Sequence, residues 1–168
     1  QVATKNATTG AVTTRMSSGM PDLTGLSVSD VATATSITLA ADTISVINYT
    51  GAAAATCTLP AATQGTVVVY CQAVDTTGGT NTLVFDAAGS DVWATGSVIE
   101  SRASSEATFD TSAAGETKLT FTPANAATNL LTIGGQIAFI CYEKGTWHIA
   151  SSLARETTQT TGAFAFAS

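Results

Sequence analysis

Residues 129–151, NLLTIGGQIAFICYEKGTWHIAS, decide how this chain is read. Gly134-Gly135 and Lys144-Gly145 divide the stretch into three short apolar runs. Both dipeptides suit tight two-residue turns, because glycine enters the positive-φ region without steric cost. Three runs joined by two such turns describe an antiparallel meander. With both turns tight, Tyr142 lies opposite Trp147, Ile140 opposite Ile149 and Cys141 opposite His148. Residues 137–142 are then apolar on both faces, as in a central strand buried on two sides. This meander is the expected heart of the core.

Working outward, short alternating runs recur from Ser36 onward at the spacing of an all-β sandwich or barrel. The expected strands are 37–39, 44–48, 56–59, 66–73, 82–85, 98–101, 107–110, 118–122, 129–133, 136–143 and 146–151. Gly78-Gly79, the DAAG at 86–89 and the TPAN at 122–125 punctuate them. No helical period lasts beyond two turns, apart from a short candidate near Ala53. Composition agrees, since thirty-two threonines and thirty alanines stand against eighteen charged residues and one histidine. Threonine's branched Cβ fits a pleated surface and alanine permits close packing. The fold class is all-β: a jelly-roll-like antiparallel β-sandwich over 36–152, with an extended N-terminal arm, 1–35, and a C-terminal tail, 153–168.

The arm is rich in Thr, Ser, Ala and Gly, holds no aromatic residue and shows no sustained period. Ordering it costs roughly 1–2 kcal/mol per fixed backbone residue, which only partner contacts offset. Val2, Val12, Met16, Met20 and Leu23 are its candidate anchors. The tail ends GAFAFAS, and Phe164 and Phe166 share a strand face. They either enter a neighbour's groove or fold back onto their own sandwich as an edge strand.

Little in the chain can do chemistry. Charged residues make up 11% of it, against about 25% in an ordinary domain, which points to a surface hidden against neighbours. Net charge is −6 and the six basic residues are scattered, so neither nucleic acid nor anionic membrane is an expected partner. No apolar run approaches the ~20 residues of a membrane span. Gln1 at the first position reads as a processed or trimmed start. Cys57, Cys71 and Cys141 are odd in number and lack metal-ligand spacing, which suits a reducing compartment. Each shares the phase of apolar neighbours: Cys57 with Leu59, Cys71 with Val67 and Val69, Cys141 with Ile137 and Phe139. Three buried thiols are expected, with a Cys57–Cys71 bridge across a hairpin near Gln64-Gly65 as the alternative.

Cys141 and His148 form the one conceivable nucleophile–base pair, and their phase points them into the core without an orienting third group. No enzyme, cofactor or metal is expected. Asp86 and Asp91 lack the alternating acidic ligands of a calcium loop and read as turn residues. Glu100, Glu106 and Glu116 read as solvated. Trp93, Trp147, Tyr49, Tyr70 and Tyr142 could build a sugar-stacking platform. Trp147 is better explained as the partner of Tyr142. Trp93, in GSDVWATG, is either an exposed partner contact or a cap over one end of the sandwich. The two Asn-x-Thr triplets, at Asn6 and Asn48, read as chance matches in a threonine-rich chain.

Three segments carry a resemblance: CTLPAATQGTVVVYCQ at 57–72, NTLVFDAAGSDVW at 81–93 and LTIGGQIAFICYEKGTWHIAS at 131–151. They look like small virion structural proteins of tailed bacteriophages, particularly marine and cyanobacterial phages, over roughly residues 37–151. The resemblance implies synthesis in a bacterial cytoplasm and a place on the outer capsid surface of the virion. There the chain would act as a decoration (cement) protein on the major capsid protein. It also implies self-association as a homo-oligomer at a symmetry position. The alternative it leaves is a tail-fibre or receptor-binding module recognising a host surface glycan. It supplies no catalytic residues.

Overall fold

The computed structural model describes residues 2–5, 12–15, 27–31, 35–76, 81–102, 107–122, 131–155 and 164–168. Among them are strands and turns and no helix, and the residues near Ala53 form a bend. Two short strands, β1 (Val2–Lys5) and β2 (Val12–Arg15), pair antiparallel as a ribbon. The next six strands are β3 (Ser27–Val31), β4 (Ser36–Thr38), β5 (Thr43–Ile47), β6 (Ala55–Thr58), β7 (Val67–Gln72) and β8 (Leu83–Asp86). They alternate between two sheets. β3, β5 and β7 are parallel neighbours in the large sheet, and β4, β6 and β8 are parallel neighbours in the small one.

This pairing departs from the antiparallel jelly roll that the spacing suggests. Turn residues mark where the chain bends but not which sheet the next strand joins. Here each connection crosses to the other sheet, so successive strands of one sheet run the same way. Asp42 lies in the crossing from β4 to β5, at φ 53°, a region that aspartate tolerates better than most residues. Its N–H donates to the Val67 carbonyl at 2.8 Å and its Oδ1 accepts the Val67 N–H at 3.1 Å. The turn is thereby tied to the start of β7.

The remaining strands are β9 (Val92–Trp93), β10 (Val98–Arg102), β11 (Ala107–Thr111), β12 (Lys118–Phe121), β13 (Gln136–Glu143), β14 (Thr146–Arg155) and β15 (Phe164–Ala167). The large sheet runs β11-β10-β14-β13-β7-β5-β3, with β9 also paired to β14, and the small sheet runs β15-β12-β8-β6-β4. The sheets are mixed. They share one core, in which Phe85 of the small sheet meets Tyr70 and Phe139 of the large one at centroid distances of 4.9 and 5.2 Å.

The boundaries read from composition also move. β3 lies within the segment assigned to the arm yet forms an edge of the large sheet. β14 runs on to Arg155, and β15 supplies an edge strand from within the tail. Of the strand expected at 129–133, residues 129–130 lie outside the described residues and the rest is not a strand, since Leu131 makes only an isolated bridge. Thr132–Gly135 is a turn, with Gly134 at φ 85°.

The meander's second hairpin is present with a different register. Glu143 pairs with Thr146 around Lys144-Gly145, but Ile140 then faces His148 and Phe139 faces Ile149. An extra residue on β13 sets Cys141 and Tyr142 against Trp147, a β-bulge. A second irregularity, between Ala138 and Phe139, restores the original register. The bulge lets both Cys141 and Trp147 be buried (each 0% exposed) while Tyr142 stays 60% exposed. Unbroken pairing of Tyr142 with Trp147 would have put them on one face.

Candidate interaction surfaces

Residues chosen from the sequence as partner contacts divide by place. Met16, Met20 and Leu23 lie outside the described residues. Val2 and Val12 open the two strands of the N-terminal ribbon. Trp93 is 1% exposed, packed between Phe139 and Phe166, so it offers nothing to a partner in this fold. Phe164 and Phe166 are buried in the chain's own core. β15 pairs with β12, and Phe164 rests on Phe121 at 5.2 Å. The tail takes the fold-back arrangement because β12 would otherwise leave Leu119 and Phe121 at an uncovered edge. The Phe166 N–H donates to Asp110 Oδ2 at 2.8 Å, stitching β15 to β11 across the two sheets.

The chemistry-bearing groups are kept apart. Cys141 is buried, and its thiol lies 3.0 Å from the Glu143 carbonyl. His148 is on the opposite face of the sheet, 5.1 Å from the Tyr142 ring. The expected inward thiol–imidazole pair is therefore split by the backbone, a consequence of the bulge. Cys57 faces the core from the small sheet, where burial pushes its thiol up to about 12. Cys71 shares the phase of Val67 and Val69, but that phase faces outward, and Cys71 is only half-buried. The three cysteines are free, and Cys57 and Cys71 lie on different sheets, Cys57 inward on β6 and Cys71 on the outward phase of β7.

Aspartates serve the backbone. Asp91 Oδ2 accepts the Ala62 N–H at 2.7 Å, and the Gly145 N–H donates to the Ala62 carbonyl at 2.9 Å, so three loops meet there. Glu116, read as solvated, accepts the Ala113 N–H at 2.5 Å. Among the described residues no three His, Cys, Asp or Glu side chains are grouped to hold a metal, and no helix is long and apolar enough to cross a membrane. A sugar platform is not on the surface, since Tyr49, Tyr70, Trp93 and Trp147 are buried and Tyr142 alone of the five is exposed.

The two outer faces differ in chemistry. The small sheet shows hydroxyls, with Ser36 paired to Thr56 and Thr38 to Thr58. The large sheet shows Ile44 and Val46 on β5, Val67 and Val69 on β7, and Ile140 on β13, all half-buried. Exposed Val98 and Phe109, at 44% and 63%, lie on its β10–β11 wing. Sequence reading missed this face because alternation fixes a strand's two faces but not which one points inward. β5 turns Thr43, Ser45 and Ile47 inward and leaves Ile44 and Val46 half-buried on the outer side. Residues 67–71, VVVYC, apolar in both phases, were the available signal.

No protein-family model matches the chain, and no curated protein matches it.

Proposed function

We propose that the chain is a virion structural protein of a tailed phage. In this reading it is a capsid decoration protein with a β-sandwich body, bound to the outer face of the head and stabilising contacts between major capsid subunits. The observation that carries the reading is the N-terminal ribbon. β1 and β2 form a sheet of their own, hydrogen-bonded to neither sheet of the sandwich among the described strands. A lone two-stranded ribbon is marginal in water, so it needs a surface to lie on, and neighbouring capsid subunits supply one. The low charge of the chain and the phage-like segments support the same reading, with copies of the chain associating at a symmetry position.

A tail-fibre or receptor-binding module is the second reading. One observation favours it: β3–β4, β5–β6 and β7–β8 stack as successive rungs, an arrangement that extends readily along one axis. Counting copies on purified virions tests the two. Hundreds per particle support decoration, whereas a few tens or fewer refute it in favour of the fibre.

A further inference from the structure

We infer that the open edge of β3 is a docking site for one more parallel strand, and that its occupant is the chain's own β2. The step from β3 to β5 shows what such a strand must look like. Ser27 faces Thr43 and Val31 faces Ile47, an offset of sixteen residues, and the chain crosses to β4 in the small sheet between them. Hydroxyl and β-branched aliphatic residues recur in step across the pair, with Ser27 beside Thr43, Val28 beside Ile44 and Ser29 beside Ser45. One further step of sixteen toward the N-terminus falls on β2. It sets Val12 in the row of Val28 and Ile44, and Thr13 in the row of Ser29 and Ser45. The spacer also has the right length. Residues 16–26, between β2 and β3, number eleven, as do residues 32–42, between β3 and β5. Parallel neighbours need a connection of about a dozen residues.

The residues that break the pattern suit an outermost strand. Arg15 takes the place that Val31 and Ile47 hold in the two strands beside it, and a charge there stops an edge from recruiting further chains. Charge also draws β2 toward the body. Residues 1–20 carry Lys5 and Arg15 and no carboxylate, whereas the rest of this chain of net charge −6 is acidic. In the present structure β2 is held by β1 instead, with Thr4 opposite Thr13 and Val2 opposite Arg15. A two-stranded ribbon twists more strongly than a wide sheet, so β2 fits the edge of β3 once it has left β1. β1 and β3 are competing partners for one strand, and loss of the first pairing closes the sandwich edge.

The test uses the full chain and no phage head. Ala3→Pro with Thr4→Pro removes two N–H donors from β1 and opens the ribbon. That variant should melt several degrees above the wild type, because a marginal ribbon is exchanged for a ladder on a packed sheet. The amides of β3 should exchange at least about tenfold more slowly in it. Thiols in a Cys71→Ser background read the register. Thr13→Cys with Ser29→Cys should bridge within one molecule of the opened variant, since neighbouring strands lie about 4.8 Å apart. Thr13→Cys with Asp30→Cys, one residue out of step, should not. With β1 intact, Thr4→Cys with Thr13→Cys should bridge instead. An opened variant that melts as the wild type does, or that bridges both pairs equally, overturns the inference. So does a bridge from Thr13→Cys to Ser29→Cys that joins two molecules, which would give the edge to a second copy. Attachment of the wild type to heads is a separate measurement.

Discussion

At the residue scale, several polar side chains are spent on holding backbone. Exposed Asp75 accepts the Ile133 N–H through Oδ1 at 2.7 Å, as Asp91 does in its loop and Asp110 does from β11. Gln72, 2% exposed, donates to the carbonyls of Tyr49 and Val74 at 2.8 and 2.6 Å and accepts from the Tyr70 hydroxyl. A buried amide left unpaired would cost about 1–3 kcal/mol, and here its donors and its acceptor are engaged. Titration of buried acids gives a pH dependence. Burial lifts Cys57 from 9.0 and Tyr49 from 10.0, each to about 12, and lifts Tyr70 well above 10.0, with Cys57 adding to the effect. The folded chain therefore keeps protons that the unfolded chain loses above about pH 9. Stability contributed by these groups is full below pH 9 and falls as pH rises toward 12. Denaturant midpoints should be flat from pH 7 to 8.5 and drop steadily beyond, and a midpoint that rises or holds at pH 10.5 would refute the burial of these groups.

At the element scale, strands were legible where one face is strictly apolar and turns are marked by glycine. β7, β8, β10, β12 and β13 fall within a residue or two of their expected limits. What escaped is what periodicity does not encode. The bulge opposite Trp147 shifts a register by one, and β9, two residues long, is too short to show any period. β15 was visible as a phenylalanine pair, but its partner was not, because a groove in the same molecule and one in a neighbour attract it equally. Its placement makes a prediction. Phe166 packs on Trp93 at 5.7 Å and is 9% exposed, so Phe166→Ala should cost about 3–5 kcal/mol of stability. A melt of the purified variant checks this. A loss under 1 kcal/mol, with attachment to particles abolished instead, would mean that the tail docks on a neighbour.

At the scale of the whole molecule, the two ends of the sandwich are unlike. One end is closed, where Asp110 of β11 holds the backbone of β15. At the other, β3 and β4 are the outermost strands of their sheets, and no described strand pairs with them on the far side. Exposed edges invite pairing with other chains, and the chain supplies its own preceding residues just before this edge. The composition-based arm therefore divides into an anchored part and a reaching part. Residues 27–31 belong to the large sheet, whereas the ribbon before them forms a separate sheet, the part to which the proposed function gives attachment. Two truncations separate the parts. Removing 1–26 leaves β3 in place, and the melting temperature should be unchanged, while binding to heads that lack the protein falls sharply. Removing 1–35 takes away β3 and its parallel ladder to β5. At a net value of about 1 kcal/mol per hydrogen bond lost, that deletion should destabilise the sandwich by several kcal/mol. If both truncations melt alike, β3 adds nothing to the sheet. If the shorter one binds heads as tightly as the full chain, the ribbon is not the clamp, and attachment must run through the body.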